Sequence, residues 1–385
     1  MNNYDICIIG AGIIGASIAR ELSKYNKKIL LLEANARVAM ETTAGNSGLV
    51  HGGFDPTPGK LNAKLNILGK KRYEDWINEM EFPYLRINST VVAFNETEFE
   101  DLKMLYKRGL ENGLSIDELE LLNHKEILDR EPNLSQEVIA ALVCNSSIAV
   151  DSVELTKTLI RNSIKNGVNL KLNSKVIEIT KNDEEFIIKT SKIEEFKSKV
   201  IINAAGHYAD VISSMAGHDD FKLTTRRGEY RILEKTERGI VNSVIFMVPT
   251  IHGKGVIVAP MLDGHIMVGP TSEENVSKEE TRLVTKNKFD EIGKIGKKLV
   301  PSLNIDKTSM TYSGSRPIES TTDDFWIKPS HSDCCFINVA GMKSPAIASA
   351  PAIADYVIEL VKNAIGEMEM NKNYNPIEKS IIPII

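Results

Sequence analysis

The run Gly10-Ala11-Gly12-Ile13-Ile14-Gly15, with Glu33 standing 18 residues beyond Gly15, is the most sharply specified chemistry in this sequence. Gly10 permits the tight turn that leaves a strand. A side chain at Gly12 would collide with a ligand brought against the backbone, and Gly15 lets the following helix pack closely on the strand. The N-terminus of that helix, with its free N–H groups and dipole, favours a pyrophosphate. Ala11, Ile13 and Ile14 complete the turn, and the carboxylate of Glu33 can accept hydrogen bonds from a ribose diol. The spacing predicts dinucleotide binding and does not choose between FAD and NAD.

Other polar clusters could do chemistry beside such a ligand. The stretch Thr42-Thr43-Ala44-Gly45-Asn46-Ser47-Gly48-Leu49-Val50-His51-Gly52-Gly53 is too polar and glycine-rich to be core. Its His51 is of a type that can take a proton near neutral pH, and Gly52 and Gly53 suggest room for a ligand beside it. Arg316 ends a β-like run after Ser313-Gly314-Ser315, and its planar fork suits phosphate or carboxylate. Lys254 sits among glycines, which leaves its ammonium free to point into a cavity, with His252 two residues away. Arg226 and Arg227 precede Gly228 at a strand start; one of them reads as a charged strand flank, and the sequence does not say which. Asp151 reads as a helix cap, and Trp76 and Trp326 as core or rim. The four cysteines, Cys7, Cys144, Cys334 and Cys335, make no C-x-x-C pair, so reduced, buried thiols and no metal site are expected.

These residues need elements to hold them. Residues 4–10 read as a buried parallel strand, 14–25 as a helix and 28–33 as a second buried strand, which together make one βαβ unit. Helical patterns follow at 61–80, 97–113, 124–129, 152–166 and 346–363. Residues 168–172, 175–180 and 185–190 are β-like, and 199–206 repeats the strand-to-glycine pattern of the N-terminus, as does 335–339 near the end. From 221 to 318 the runs are β-rich, with Asp263-Gly264 as a turn, which suits an antiparallel sheet. The chain has 385 residues, enough for two domains, and a formal charge of −5 from 52 acids and 47 bases. That balance gives no nucleic-acid footprint. No apolar run is long enough to cross a bilayer, and the N-terminus has no basic n-region of a signal peptide.

Four segments carry a resemblance to the D-amino-acid-oxidase superfamily of flavoenzymes: the fingerprint with Glu33, the Thr42–Gly53 stretch, Asn203-Ala204-Ala205-Gly206 with Ala-Asp at 209–210, and Gly341-Met342-Lys343-Ser344-Pro345. A fifth, from Thr250 to Pro260 with Val268-Gly269-Pro270-Thr271, is similar to the FAD-dependent glycerol-3-phosphate oxidase and dehydrogenase group, in its short, mycoplasma-type form. The resemblance implies an α/β fold: a Rossmann-like parallel sheet for FAD with an inserted antiparallel substrate domain. It implies non-covalent FAD held by Gly10, Ala11, Gly12, Ile13, Ile14, Gly15, Glu33, Thr42, Thr43, Asn46, Ser47, Gly48, Leu49, Val176, Ala205, Gly206, Gly341, Met342, Lys343 and Ser344. It makes His51 the catalytic base and assigns Arg316, Lys254, His252 and Ser344 to the substrate. Pro345 is expected as the first residue of a helix whose N-terminus faces the flavin.

The function so implied is oxidation of sn-glycerol 3-phosphate to dihydroxyacetone phosphate by a cytoplasmic enzyme, with loose attachment to the inner membrane face left open. The clustered cysteines of the related anaerobic dehydrogenase subunit are absent, so oxygen is the simplest electron acceptor, giving hydrogen peroxide; a quinone or carrier protein is the other. Two readings compete: an L-2-hydroxyglutarate or other 2-hydroxy-acid oxidase, and a protein that binds FAD without turnover of its own. The expected organisation is a discontinuous FAD domain of residues 1–80, 146–215 and 325–370, a substrate domain of 81–145 and 216–324, and a tail of 371–385.

Overall fold

The computed structural model describes residues 2–182, 184–249 and 255–381. His252 and Lys254 lie outside these described residues, as do Thr250, Ile251 and Gly253. In chain order the strands are β1 (Asn2–Ile9), β2 (Ile29–Leu32), β3 (Leu49–Val50), β4 (Tyr84–Ala93), β5 (Leu119–Asn123), β6 (Ala140–Val150), β7 (Asn169–Lys171), β8 (Val176–Lys181), β9 (Phe186–Thr190), β10 (Glu195–Asn203), β11 (Leu223–Leu233), β12 (Val244–Met247), β13 (Ile257–Pro260), β14 (Ile266–Gly269), β15 (Glu273–Glu274), β16 (Thr308–Glu319), β17 (Trp326–Ser330) and β18 (Asp333–Ala340). The helices are α1 (Ile13–Leu22), α2 (Leu61–Glu79), α3 (Glu96–Asn112), α4 (His124–Arg130), α5 (Ser152–Lys165), α6 (Ala209–Met215), α7 (Lys286–Leu299) and α8 (Ala346–Ile365).

The first sheet runs β17-β18-β10-β1-β2-β7, with β9 joined to β10 and β8 to β9. β1 pairs in parallel with both β10 and β2, and β10 with β18. The strand-to-glycine runs at the start, middle and end of the chain therefore lie side by side. Their uninterrupted apolar character follows from burial on both faces. Ile6 and Ile8 of β1 join the core beneath α1, α2, α5 and α8, while Cys7 and Ile9 join the core on the other face. Each such side chain contributes roughly 1.5–3 kcal/mol when fully buried.

The second sheet runs β15-β11-β14-β13-β12-β4-β6-β3, with β16 on β11 and β5 on β6. It is antiparallel except where β12 lies parallel to β4. Gly264 takes a positive φ of 91° in the β13–β14 turn, as Asp263-Gly264 predicts. The observed architecture is the α/β combination of a parallel and an antiparallel sheet.

The sequence reading is corrected in places. A 14-residue helix, α7, interrupts the region read as β-rich. Strands β4 and β6, the backbone of the second sheet, fall in stretches the periodicity left unassigned. Cys334 is exposed and Cys335 half-buried, so only Cys7 and Cys144 fit the expectation of buried thiols. Asp151 does cap α5, accepting from the N–H groups of Val153 and Glu154. Trp76 is fully buried in the core, and Trp326 lies at its edge.

Candidate active site

The turn from β1 into α1 is built as its glycines require. Gly10 has φ of 107°, and a Cβ there would stand 2.4 Å from the Ala204 carbonyl oxygen. A Cβ on Gly15 would stand 1.9 Å from the Gly10 carbonyl oxygen, so helix and strand touch through backbone alone. Gly12 differs: its Cβ would meet only Thr43 Oγ1, at 3.2 Å, so the absence of a side chain there serves something other than packing. Gly12 caps α1 without a side chain, and Thr43 reaches in to accept from the Ile13 N–H at 3.0 Å. Glu33 is buried and accepts from the Ala11 N–H at 2.8 Å, the Asn35 N–H at 2.9 Å and the Asn35 side-chain amide at 3.0 Å. A carboxylate offers about four acceptor sites, so capacity for one ribose hydroxyl remains.

This turn lines a cavity of about 750 Å³ that reaches both sheets. Gly10, Gly12, Ile13, Ile14, Glu33, Thr42, Thr43, Asn46, Ser47, Leu49, His51, Val176, Ala205, Gly206, Met342, Lys343, Ser344 and Arg316 all line it. Ala11, Gly15, Gly48 and Gly341 do not. They shape its wall instead: Ala11 orients Glu33, and Gly48 (φ 65°) and Gly341 (φ 71°) would set a Cβ 2.3 Å from the Val150 carbonyl and 2.9 Å from the Asp324 carbonyl.

Asn46 faces its own loop. Its amide donates to the carbonyls of Thr42 and Thr43 and to Ser152 Oγ, and its Oδ1 accepts from the Gly48 N–H at 2.6 Å. His51 is buried, with its ring 6.3 Å from that of Phe246. The glycines after it do not make ligand space: a Cβ on Gly52 would stand 2.3 Å from Cys144 Sγ, and one on Gly53 2.4 Å from Ile67 Cδ1. They let the loop press against β6 and α2.

Arg316 lies on β16 and lines the same cavity beside Tyr230, whose ring stacks on Tyr312 at 4.5 Å. Burial pushes the Arg316 guanidinium down from its ordinary pKa, and the neighbouring Arg226 adds to the effect. No carboxylate among the described residues forms an ion pair with it. Strand alternation separates the two arginines that sequence could not tell apart. Arg226 lines the cavity, whereas Arg227 is buried against Glu229 and Glu273.

Ser344 is exposed at the rim, and Lys343 is tied to Asp323 at 2.5 Å. Pro345 is the N-cap of α8, not its first helical residue, and no side chain caps this 20-residue helix. Its open N-terminus borders the cavity through Pro345, Ala346 and Ile347.

His207 was missed by sequence reasoning, although it follows Ala205-Gly206 directly. It is buried on the cavity wall, with Nε2 2.9 Å from Thr42 Oγ1 and no hydrogen-bond partner for Nδ1 among the described residues. Burial, partly opposed by Glu41, lowers its pKa to about 4.

A glycine turn from a parallel sheet, opening on a cavity lined by a buried acid and a half-buried arginine, defines a dinucleotide-dependent oxidoreductase. Residues 5–360 match the family described as FAD dependent oxidoreductase, and the chain belongs to that family. It is 42% identical over 380 residues to a glycerol 3-phosphate oxidase of Mycoplasma genitalium, covering 97% of this chain and 99% of the relative. It is 43% identical over 365 residues to the glycerol 3-phosphate oxidase of Mycoplasma pneumoniae, covering 94% and 95%. A solved structure of dithionite-reduced L-α-glycerophosphate oxidase from Mycoplasma pneumoniae with FAD bound superposes with a TM-score of 0.96 at 41% identity, covering 100% of both chains. FAD is the cofactor of the family, and the side-chain-free space at Gly12, the acceptor capacity of Glu33 and the open α8 N-terminus fit it. No helix among the described residues is long and apolar enough to cross a membrane.

Proposed function

We propose that this protein oxidises sn-glycerol 3-phosphate to dihydroxyacetone phosphate with FAD, and that oxygen takes the electrons to give hydrogen peroxide. The observation that carries the reading is Arg316: a half-buried guanidinium on the cavity wall, without a carboxylate in ion-pair contact among the described residues, suits an anionic substrate. The names of the similar mycoplasma proteins support a phosphate ester as that anion.

Bound FAD supplies the two-electron acceptor for the hydride leaving C2 of the substrate. The rest is work for the chain. His51 takes the C2 hydroxyl proton, a role an imidazole fills near neutral pH. Arg316 fixes the anionic end, with Lys254 and His252 as further ligands and Ser344 at the rim. Gly12, Glu33, Thr43, Ser47, Val176, Ala205 and Gly206 hold the cofactor without a covalent bond. Met342 and Lys343 lead into α8, whose N-terminus offers positive potential to the cofactor. In domain terms, residues 1–80, 146–215 and 325–370 serve the cofactor and residues 81–145 and 216–324 the substrate.

The test is to purify the protein, record its visible spectrum, and assay peroxide with glycerol 3-phosphate and L-2-hydroxyglutarate side by side. A yellow protein that forms peroxide with the phosphate ester is expected. Turnover of the hydroxy acid alone would overturn the substrate assignment, and failure to take up FAD would overturn the whole reading.

A further inference from the structure

We propose that Arg226 is a second ligand for the substrate's phosphate, acting with Arg316 to select a group that carries two negative charges over one that carries a single charge; this rests on the glycerol 3-phosphate reading. In the antiparallel pair β11–β16, Arg226 stands directly opposite Arg316. Directly opposed residues share one face of the sheet, and both of these line the cavity. Like charges so placed repel, and such a pair is retained at lower cost where an anion sits between them.

The charges around the pair leave that place for an anion. Glu274, opposite Arg226 on β15, accepts from its Nε. No other hydrogen bond to the Arg226 side chain occurs among the described residues, so its Nη groups keep a fork to offer. Arg316 has Tyr230, a neutral phenol, as its side-chain partner. Two guanidinium groups against one carboxylate leave a net positive charge on a half-buried wall. The depressed pKa of Arg316 has the same origin: burial first, with Arg226 as an unfavourable neighbour. A phosphate monoester places close to two charges on one group, a carboxylate only one. Two adjacent forks therefore gain more from the phosphate, and this bears directly on the choice between glycerol 3-phosphate and a 2-hydroxy acid.

Steady-state kinetics of the FAD-loaded wild type, Arg226→Gln and Arg226→Lys test this. Arg226→Gln is expected to raise KM for glycerol 3-phosphate about tenfold or more, with a much smaller change in kcat, as for an interaction made in both ground and transition states. Wild-type KM should rise as pH falls through the second phosphate ionisation near about 6, and that rise should flatten in Arg226→Gln. Inhibition by glycerol 3-sulfate, a monoanion of similar shape, should be weakened less by the substitution than binding of the phosphate ester. Arg226→Lys keeps the charge beside Glu274 and should restore part of the affinity, which separates loss of charge from misfolding. An active wild type with KM and its pH dependence unchanged in both variants would overturn the role of Arg226 alone. A wild type inert toward glycerol 3-phosphate would overturn the substrate reading and this inference with it.

Discussion

The carboxamide of Asn66 donates to the backbone carbonyl of His51 at 2.9 Å, and Asn66 is fully buried in α2. The loop that carries the candidate base is thus pinned to a long helix, and Gly52 and Gly53 let it lie close enough to be pinned. His51→Ala should keep this backbone contact and the flavin, because the substitution leaves the loop's carbonyl and glycines in place. It should lose about 10²–10⁴-fold in kcat if the imidazole is the general base. Flavin absorbance and stopped-flow reduction by glycerol 3-phosphate read the two effects separately; full activity in the variant would remove His51 from the chemistry.

Gly12 and Gly15 should fail in different ways. A Cβ on Gly12 meets one hydroxyl oxygen at 3.2 Å, which can shift, so Gly12→Ala should fold. The methyl group would intrude where the cofactor approaches, and the expected loss is about 10- to 100-fold in FAD affinity, the equivalent of ordinary overpacking. A Cβ on Gly15 meets a backbone oxygen at 1.9 Å that is fixed by β1, so Gly15→Ala should lower the melting temperature of the cofactor-free protein itself. FAD titration and melting of both apoproteins check the contrast.

What could be read from the sequence follows from how local each requirement is. The glycine turn was legible because its demands fall on the backbone of six consecutive residues, with glycine required at three of them. The three parallel strands were legible because burial on both faces leaves an uninterrupted apolar run. α7 was not: Gly293 and Gly296 lower its local helix propensity, yet they bring the helix against Arg231 and Val268, contacts that no local pattern reveals. The roles of Arg226 and Arg227 depended on strand phase and on the register with β16, and the glycines after His51 depended on Cys144 and Ile67 arriving from elsewhere. His207 carried no signal beyond its place after Ala205-Gly206, because its burial is a product of the Thr42 loop and β16 meeting it.

His207 makes a pH prediction. The Thr42 hydroxyl donates to the Ser315 carbonyl at 3.0 Å, so the hydrogen between Thr42 and His207 comes from Nε2. Its pKa is lowered to about 4 in the folded protein, chiefly by burial. The unfolded chain therefore binds the extra proton first as pH falls from about 6.5 towards 4, and stability present above that window is lost through it. Between pH 7 and pH 5 the loss from this residue is about 2 kcal/mol. His207→Gln, which cannot be protonated, should show a shallower fall in melting temperature over that range; parallel curves for the two proteins would contradict the assignment.

Arg20 is fully buried beneath the C-terminal segment. Its guanidinium donates to Asn162 Oδ1 at 3.1 Å, Glu21 at 3.1 Å, Glu79 at 2.6 Å and the Pro376 carbonyl at 3.3 Å, joining α1, α2, α5 and the tail. The tail is also held by Asn371 N–H to the Lys24 carbonyl at 2.7 Å and by Asn375 N–H to Asn166 Oδ1 at 2.8 Å. Removing a buried charge strands its partners, so Arg20→Ala should cost about 3–5 kcal/mol. Truncation after Met370 removes the strap but leaves Arg20 its carboxylates and should cost less. Neither change touches the cavity lining, so protein that remains folded should bind FAD with unchanged affinity. Denaturant melts beside FAD titration decide the point: a truncation more damaging than Arg20→Ala would place the stabilisation in the tail and not in the buried charge network.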